Sequence, residues 1–195
     1  CSLLTEELRE LGGAFSRALS GIAAAPSTEK FAYQLASAQY SDPVGLYYGE
    51  KYFGEEAKKD IIEIVQQIVA TYQKRIAAND ILEPATKEKA ILKLNKMGLK
   101  LAYPDRVEDI YNKLVFDESK SLFDIVNSLR RIRMEDNFSK LNEEVDRTHW
   151  AMPGHLVNAC YDPFVNDITF PAAILQPPFY SIHHPLLQAL RHLPV

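Results

Sequence analysis

Ile61, Ile64, Val65, Ile68, Val69, Tyr72 and Ile76 recur at three- and four-residue intervals, the spacing of one apolar stripe on a helix. The pattern predicts a helix from about Glu55 to Asn79. Glu55 and Glu56 fall in its first turn, and Lys74 and Arg75 in its last, where each sign of charge favours the helix dipole. Gly54 and Pro84 bound it. A second helix is predicted over Thr86 to Met97, with Ala90, Ile91, Leu94 and Met97 inward and Gly98 as its stop. A third runs from Ser121 to about Phe138, with Leu122, Ile125, Val126, Leu129 and Ile132 on one face. Shorter helical patterns occupy residues 3–19, 28–39 and 43–53, with a brief one over Val107 to Lys113. Tyr47, Tyr48, Tyr52 and Phe53 are expected to pack between helices.

The pattern changes after about residue 150. Pro153, Pro163, Pro171, Pro177, Pro178, Pro185 and Pro194 all lie beyond it, and charge almost disappears. Val157 onward predicts a strand, Asp162-Pro163 a turn, and Asn166 to Phe170 a second strand. The prolines from Pro171 to Pro178 then exclude regular structure. The predicted fold is mainly α with one small β-hairpin.

Composition narrows the function. A chain of 195 residues with 47% hydrophobic side chains can bury a core in one or two domains. Lys plus Arg number 22 against 26 Asp plus Glu, for a net charge of −4, which argues against a nucleic-acid partner. The basic runs Lys87, Lys89, Lys93, Lys96, Lys100 and Arg130, Arg131, Arg133 therefore read as solvated helix faces. Cys1 and Cys160 are too few for a disulfide framework and are compatible with a reducing compartment. Residues 168–190 carry no Asp, Glu, Lys or Arg, yet four prolines and two histidines interrupt them. A membrane helix is not expected there, and the expectation is a soluble, cytoplasmic chain without a membrane partner. With no initiator Met and no signal segment, the chain is expected to begin inside a larger gene product.

Asn158, an amide between Val157 and Ala159, is the odd polar residue of its segment. An amide offers donor and acceptor together, so it can bracket a peptide unit of an added strand, or it can cap a turn at a sheet edge. The residues alone leave both readings open. The five histidines are His149, His155, His183, His184 and His192, and none is followed by Glu. No two lie four apart with Glu between them, the arrangement that holds zinc on a helix. His184 and His192 are eight apart, and His155 reads as a polar group flanking the strand. There is no Gly-rich phosphate loop and no serine nucleophile elbow.

The phrases VGLYYGEKYFGEEAKKD, TKEKAILKLNKMGLKLAYPD, VDRTHWAMPGHLVNACY and FPAAILQPPFY occur in that order between residues 43 and 181. Together they resemble the neprilysin family of zinc metalloendopeptidases, most of all its bacterial endopeptidase O branch. The resemblance implies a helical, cleft-covering domain over residues 1–118. It places the start of a thermolysin-like catalytic domain over 119–181, with a tail over 182–195 that does not match. It also implies that Asn158 and Ala159, on an edge strand, bind the substrate backbone. In that family a zinc-binding His-Glu-x-x-His helix follows shortly after; here IHHPLLQALRHLPV stands instead. Zinc is thus a cofactor of the intact family, and none is expected in this chain. No residue is assigned a catalytic or metal-binding role. The expectation is a frameshifted or fragmentary peptidase without activity in isolation, able to contact a peptide backbone and to self-associate weakly. The alternative is a noncatalytic peptide-binding or structural remnant.

Overall fold

The computed structural model describes residues 3–183. Seven α-helices are found among them: α1 (Glu6–Leu19), α2 (Thr28–Gln39), α3 (Ser41–Tyr48), α4 (Gly54–Ala77), α5 (Pro84–Asn95), α6 (Ile110–Lys113) and α7 (Leu122–Ser139). Three strands accompany them: β1 (Gly98–Ala102), β2 (Cys160–Asp162) and β3 (Asp167–Pro171). The helix starts follow local chemistry. The hydroxyls of Thr5, Ser27 and Ser121 accept the backbone N–H groups of Leu8, Lys30 and Asp124, capping α1, α2 and α7. Every helix predicted from periodicity is present within a few residues.

One predicted helix is split. Between α3 and α4 the chain makes a π-helical turn over Gly49–Phe53, ending at Gly54 with φ of 84°. The wider turn changes the phase of the aromatic run. Tyr48 and Phe53 pack against Ala102, Tyr103 and Ala172, whereas Tyr47 and Tyr52 are exposed with Lys51 over both rings. The expected inter-helix packing is therefore corrected: Tyr48 and Phe53 cover the end of β1 and the residue after β3, only Phe53 also meeting α4, and the other two rings are exposed. Gly49 is required here, because a Cβ would stand 2.3 Å from the Tyr103 ring.

The chain divides into two compact units, Cys1–Ser41 with Glu108–Glu144, and Asp42–Val107 with Val145–Val195. The expected boundary at 118/119 falls inside the first of these. In that unit, Ile110, Leu114, Val126 and Leu129 are buried, and α1 and α2 contribute no buried residue. Tyr40 Oη donates to the Leu114 carbonyl at 2.8 Å, and Arg133 donates to the Gln39 carbonyl. These bonds tie α2 to the returning chain.

The second unit is built on a mixed sheet in the order β1-β3-β2. β3 pairs parallel with β1 and antiparallel with β2. The hairpin thus gains a third strand, where periodicity predicts only the end of the second helix at Gly98. Its cue is the alternation in Gly98-Leu99-Lys100-Leu101, with leucines on one face. Leu99, Leu101 and Phe170 pack on Ala57 and Ile61 of α4 and on Tyr180. Only the first half of α4 is used in this way. Ile68 and Tyr72, on the same predicted stripe, are exposed.

Candidate functional site

The hairpin is fixed at its base by a buried charge. Asp167 is 2% exposed, and its carboxylate accepts hydrogen bonds from Lys100 Nζ and, at 3.3 Å, from Arg147 Nη2. Arg147 also donates to the carbonyls of Val165 (2.5 Å) and Lys96 (3.1 Å). One guanidinium therefore joins the turn before β3 to the end of α5. A buried carboxylate is tolerated only when paired in this manner. Lys100 is thus no part of a solvated helix face: it lies on β1 and completes the ion pair. Gly98 makes room, since a Cβ there would lie 2.0 Å from Asp167 Oδ1. The turn itself uses Asp162 Oδ1, which accepts the Phe164 N–H, and Asn166 in the left-handed region at φ 55°. The Asn166 amide donates to the Lys93 carbonyl, and its oxygen accepts from Tyr161 Oη, whose ring lies under Lys93 Nζ.

The segment entering β2 is anchored upstream. Gly154 packs so closely on Gly45 that a Cβ would stand 2.6 Å from the Gly45 carbonyl oxygen. Its own carbonyl accepts the Ala173 N–H at 3.0 Å, and Leu156 N–H closes a turn onto Pro153. Asp146 accepts both the hydroxyl and the N–H of Thr148, which holds its carboxyl below the usual aspartate value. His155 lies partly buried, with Nδ1 wholly enclosed and without a hydrogen-bond partner. Burial lowers its affinity for a proton, and the Asp42 carboxylate opposes this only in part.

Between these anchors, Leu156 to Ala159 forms a short arch. Asn158 does not lie in the strand, as the hydropathy pattern predicts, but two residues before β2, and it is exposed instead of buried. The register explains why. Cys160 pairs with Thr169, so continuing the ladder would set Asn158 opposite Pro171, which has no N–H to donate. The backbone turns instead: Asn158 N–H donates to the Leu156 carbonyl at 3.0 Å, and Asn158 Oδ1 accepts the Ala159 N–H at 2.8 Å. Ala159 is half-buried, with a side chain too small to block the backbone beside it. β2 is an edge strand, and among the described residues no strand pairs with its outer side. The arch delivers an amide group and an open strand edge to the same place, the two elements an extended peptide needs for main-chain recognition. Gly154, Arg147 and Asp167 support this place without a motif to announce them; a charged residue at the start of an apolar strand is their one visible sign.

Among the described residues the histidines do not assemble a metal centre. Among the described residues no group of three or more His, Cys, Asp or Glu side chains could hold a metal ion. His184, His192 and Cys1 lie outside the described residues, and Cys160 carries a free, half-buried thiol. The residues present do not fit the zinc site of the resembled family, whose two histidines and glutamate share one helix face.

Comparison with known proteins decides the family. Residues 1–104, more than half of the chain, match the model of peptidase family M13. This chain belongs to peptidase family M13. Its relatives include a neutral endopeptidase of Lactobacillus helveticus, 44% identical over 180 residues, which are 92% of this chain and 28% of that protein. A neprilysin of Mus musculus is 28% identical over 187 residues and is covered over 25% of its length. The crystal structure of PepO from Lactobacillus rhamnosis HN001 superposes with a TM-score of 0.87 at 44% identity, covering 94% of this chain and 29% of that one. The zinc metalloprotease Zmp1 of Mycobacterium tuberculosis, in complex with an inhibitor, gives 0.70 at 34% identity, covering 86% of this chain and 25% of that one. The M13 chain thus spans less than a third of the length of these relatives. Among its described residues no helix is long and apolar enough to cross a membrane.

Proposed function

We propose that this M13 chain supplies the peptide-positioning edge of a zinc metalloendopeptidase and does not hydrolyse peptides by itself. In this reading, residues 1–118 belong to a helical domain that covers a cleft, and 119–181 begin the catalytic domain, with Asn158 and Ala159 gripping the substrate backbone. The observation that carries it is the exposed Asn158–Ala159 arch leading into an edge strand whose outer side is unpaired among the described residues. In the bound state the Asn158 amide gives its donor and acceptor to one peptide unit, and β2 extends the pairing. The internal bond from Ala159 N–H to Asn158 Oδ1 holds the side chain ready at the cost of one acceptor site. What supports inactivity of the chain by itself is that no histidine in it is followed by glutamate and no pair has the spacing of a zinc helix.

The free edge also favours a second reading, a noncatalytic peptide-binding remnant that associates weakly with itself through exposed apolar side chains. Two assays on the purified chain test what both readings share. Addition of zinc and a fluorogenic peptide is expected to give no turnover, and chelator-sensitive cleavage would overturn the proposal. Titration with an uncleaved extended peptide is expected to show binding that Asn158→Ala weakens by about 1 kcal/mol per lost hydrogen bond. Absence of any binding would leave a structural remnant only.

A further inference from the structure

We infer that the ammonium of Lys93, held over the ring of Tyr161 at the open edge of β2, selects an acidic side chain in a peptide that pairs with that edge. This selectivity rests on the peptide-binding reading of Asn158 and β2, and it gives that edge a substrate class. Three contacts fix the place. Tyr161 Oη donates to Asn166 Oδ1 at 3.1 Å, the Asn166 amide donates to the Lys93 carbonyl at 2.9 Å, and Lys93 Nζ stands 5.2 Å from the centroid of the Tyr161 ring. Ring and cation are thus set before a ligand arrives, which lowers the entropy lost in ordering a lysine on binding.

The sheet sets the direction. Tyr161 lies opposite Ile168, which in turn lies opposite Leu99. Directly paired residues share a face, and Leu99 belongs to the face that packs on α4. Tyr161 therefore stands on the helix-covered side, where α5 brings Lys93 to it. A strand added along the outer side of β2 continues the same alternation, so its residue opposite Tyr161 points to that side, with its Cβ about 5 Å away. A carboxylate there reaches the ammonium above the ring. The two flanking residues of the peptide point to the other face, where Lys100 and Arg147 are already committed to Asp167 and to backbone carbonyls.

The state of its charge sets Lys93 apart. Lys58, Lys59, Lys100, Lys113 and Lys140 each pair with a carboxylate of this chain. Lys93 is in no ion pair among the described residues, and the π face of Tyr161 is what holds its cation. Both side chains are exposed, so a peptide can reach them. Lys89, one turn earlier on α5, and Lys96 at the C-cap are exposed as well. They fall on the same side of the helix as Lys93. This part of the basic run is therefore a positive strip beside the peptide edge. It attracts a carboxylate and repels a lysine or arginine in the peptide.

Calorimetric titration of the purified chain with uncleaved, capped heptapeptides tests this. Each peptide is threonine throughout except for one glutamate or one glutamine, moved through every position in turn. At one position glutamate is expected to bind about threefold tighter than glutamine at low ionic strength. The ratio is expected to shrink toward one in about 0.5 M salt. Lys93→Gln should abolish the ratio, and Lys93→Arg should keep it, because a cation stays over the ring. Lys93→Glu should turn the preference toward a peptide carrying lysine at that position. Lys93 is exposed, so these variants are expected to keep the fold, as circular dichroism will show. Peptides that bind with no glutamate preference at any position would overturn the inference and leave the Asn158 edge standing. So would a preference that survives Lys93→Gln. Failure of every peptide to bind would overturn the peptide-binding reading, and this selectivity with it.

Discussion

In the second unit, Asp167 is buried under Lys100 and Arg147, Gly98 yields its Cβ to that carboxylate, and Tyr180 Oη reaches the buried Asp60 at 2.6 Å. In the first unit, α1 and α2 run their full length without burying a residue, and their side chains hold on by capping hydroxyls and arginines. Both units use amphipathic helices, so periodicity does not separate them. What separates them is the sheet, which gives α4 a flat apolar partner and brings charged residues far apart in sequence into one buried cluster. The candidate site lies in the unit where positions are over-determined, which is where an edge must hold its geometry to select a peptide.

The contrast can be broken by substitution. Asp167→Ala strands Lys100 beside a buried void and is expected to cost about 3–5 kcal/mol, measured by urea denaturation. A loss below about 1 kcal/mol would show that the ion pair is not holding the hairpin. Gly98→Ala drives a methyl into Asp167 Oδ1 and should cost about 1–3 kcal/mol, with a chemical-shift change at Lys100 that a remote substitution would not give. Tyr180→Phe removes the hydroxyl from buried Asp60 and should cost about 1–3 kcal/mol, read from the same denaturation curves. The outer face of α1 has no comparable partner to lose, and Phe15→Ser is expected to change stability by less than about 0.5 kcal/mol.

A change of pH sharpens the comparison in another way. Burial holds the His155 imidazole below its ordinary value of about 6.5. A group with a depressed folded-state value stabilises the fold fully above its unfolded value and loses that contribution as pH falls through the folded one. Stability is therefore expected to decline as pH falls below about 6.5, before the hydrogen-bonded carboxylates of Asp136 and Asp146 begin to protonate. His155→Gln should flatten the curve in that window. An unchanged slope would remove His155 as its source.

Most of the helices are legible in the sequence, because caps and apolar spacing are local. The hairpin is legible too, but β1 is not: its alternation spans only five residues at the end of a helical, lysine-rich stretch, too few to stand against their neighbours. Asn158 stands out as an unusual residue, yet its position outside the strand does not. That position depends on the register of Cys160 on Thr169 and on Pro171 across the ladder, a pairing between residues separated by a turn. The buried Asp167 cluster is hidden for the same reason: Lys100 and Arg147 reach it from 67 and 20 residues away. Periodicity also assigns Ile68 and Tyr72 to the buried stripe of α4, and only the extent of the sheet decides where that burial stops.

The central claim is that the arch before β2 grips a peptide backbone through Asn158. Its most direct test is calorimetric titration of the purified chain and of its Asn158→Ala variant with one extended, uncleaved peptide. The account predicts binding to the parent chain and an affinity roughly fivefold lower in the variant, the equivalent of about 1 kcal/mol. Equal affinities for the two proteins would contradict it.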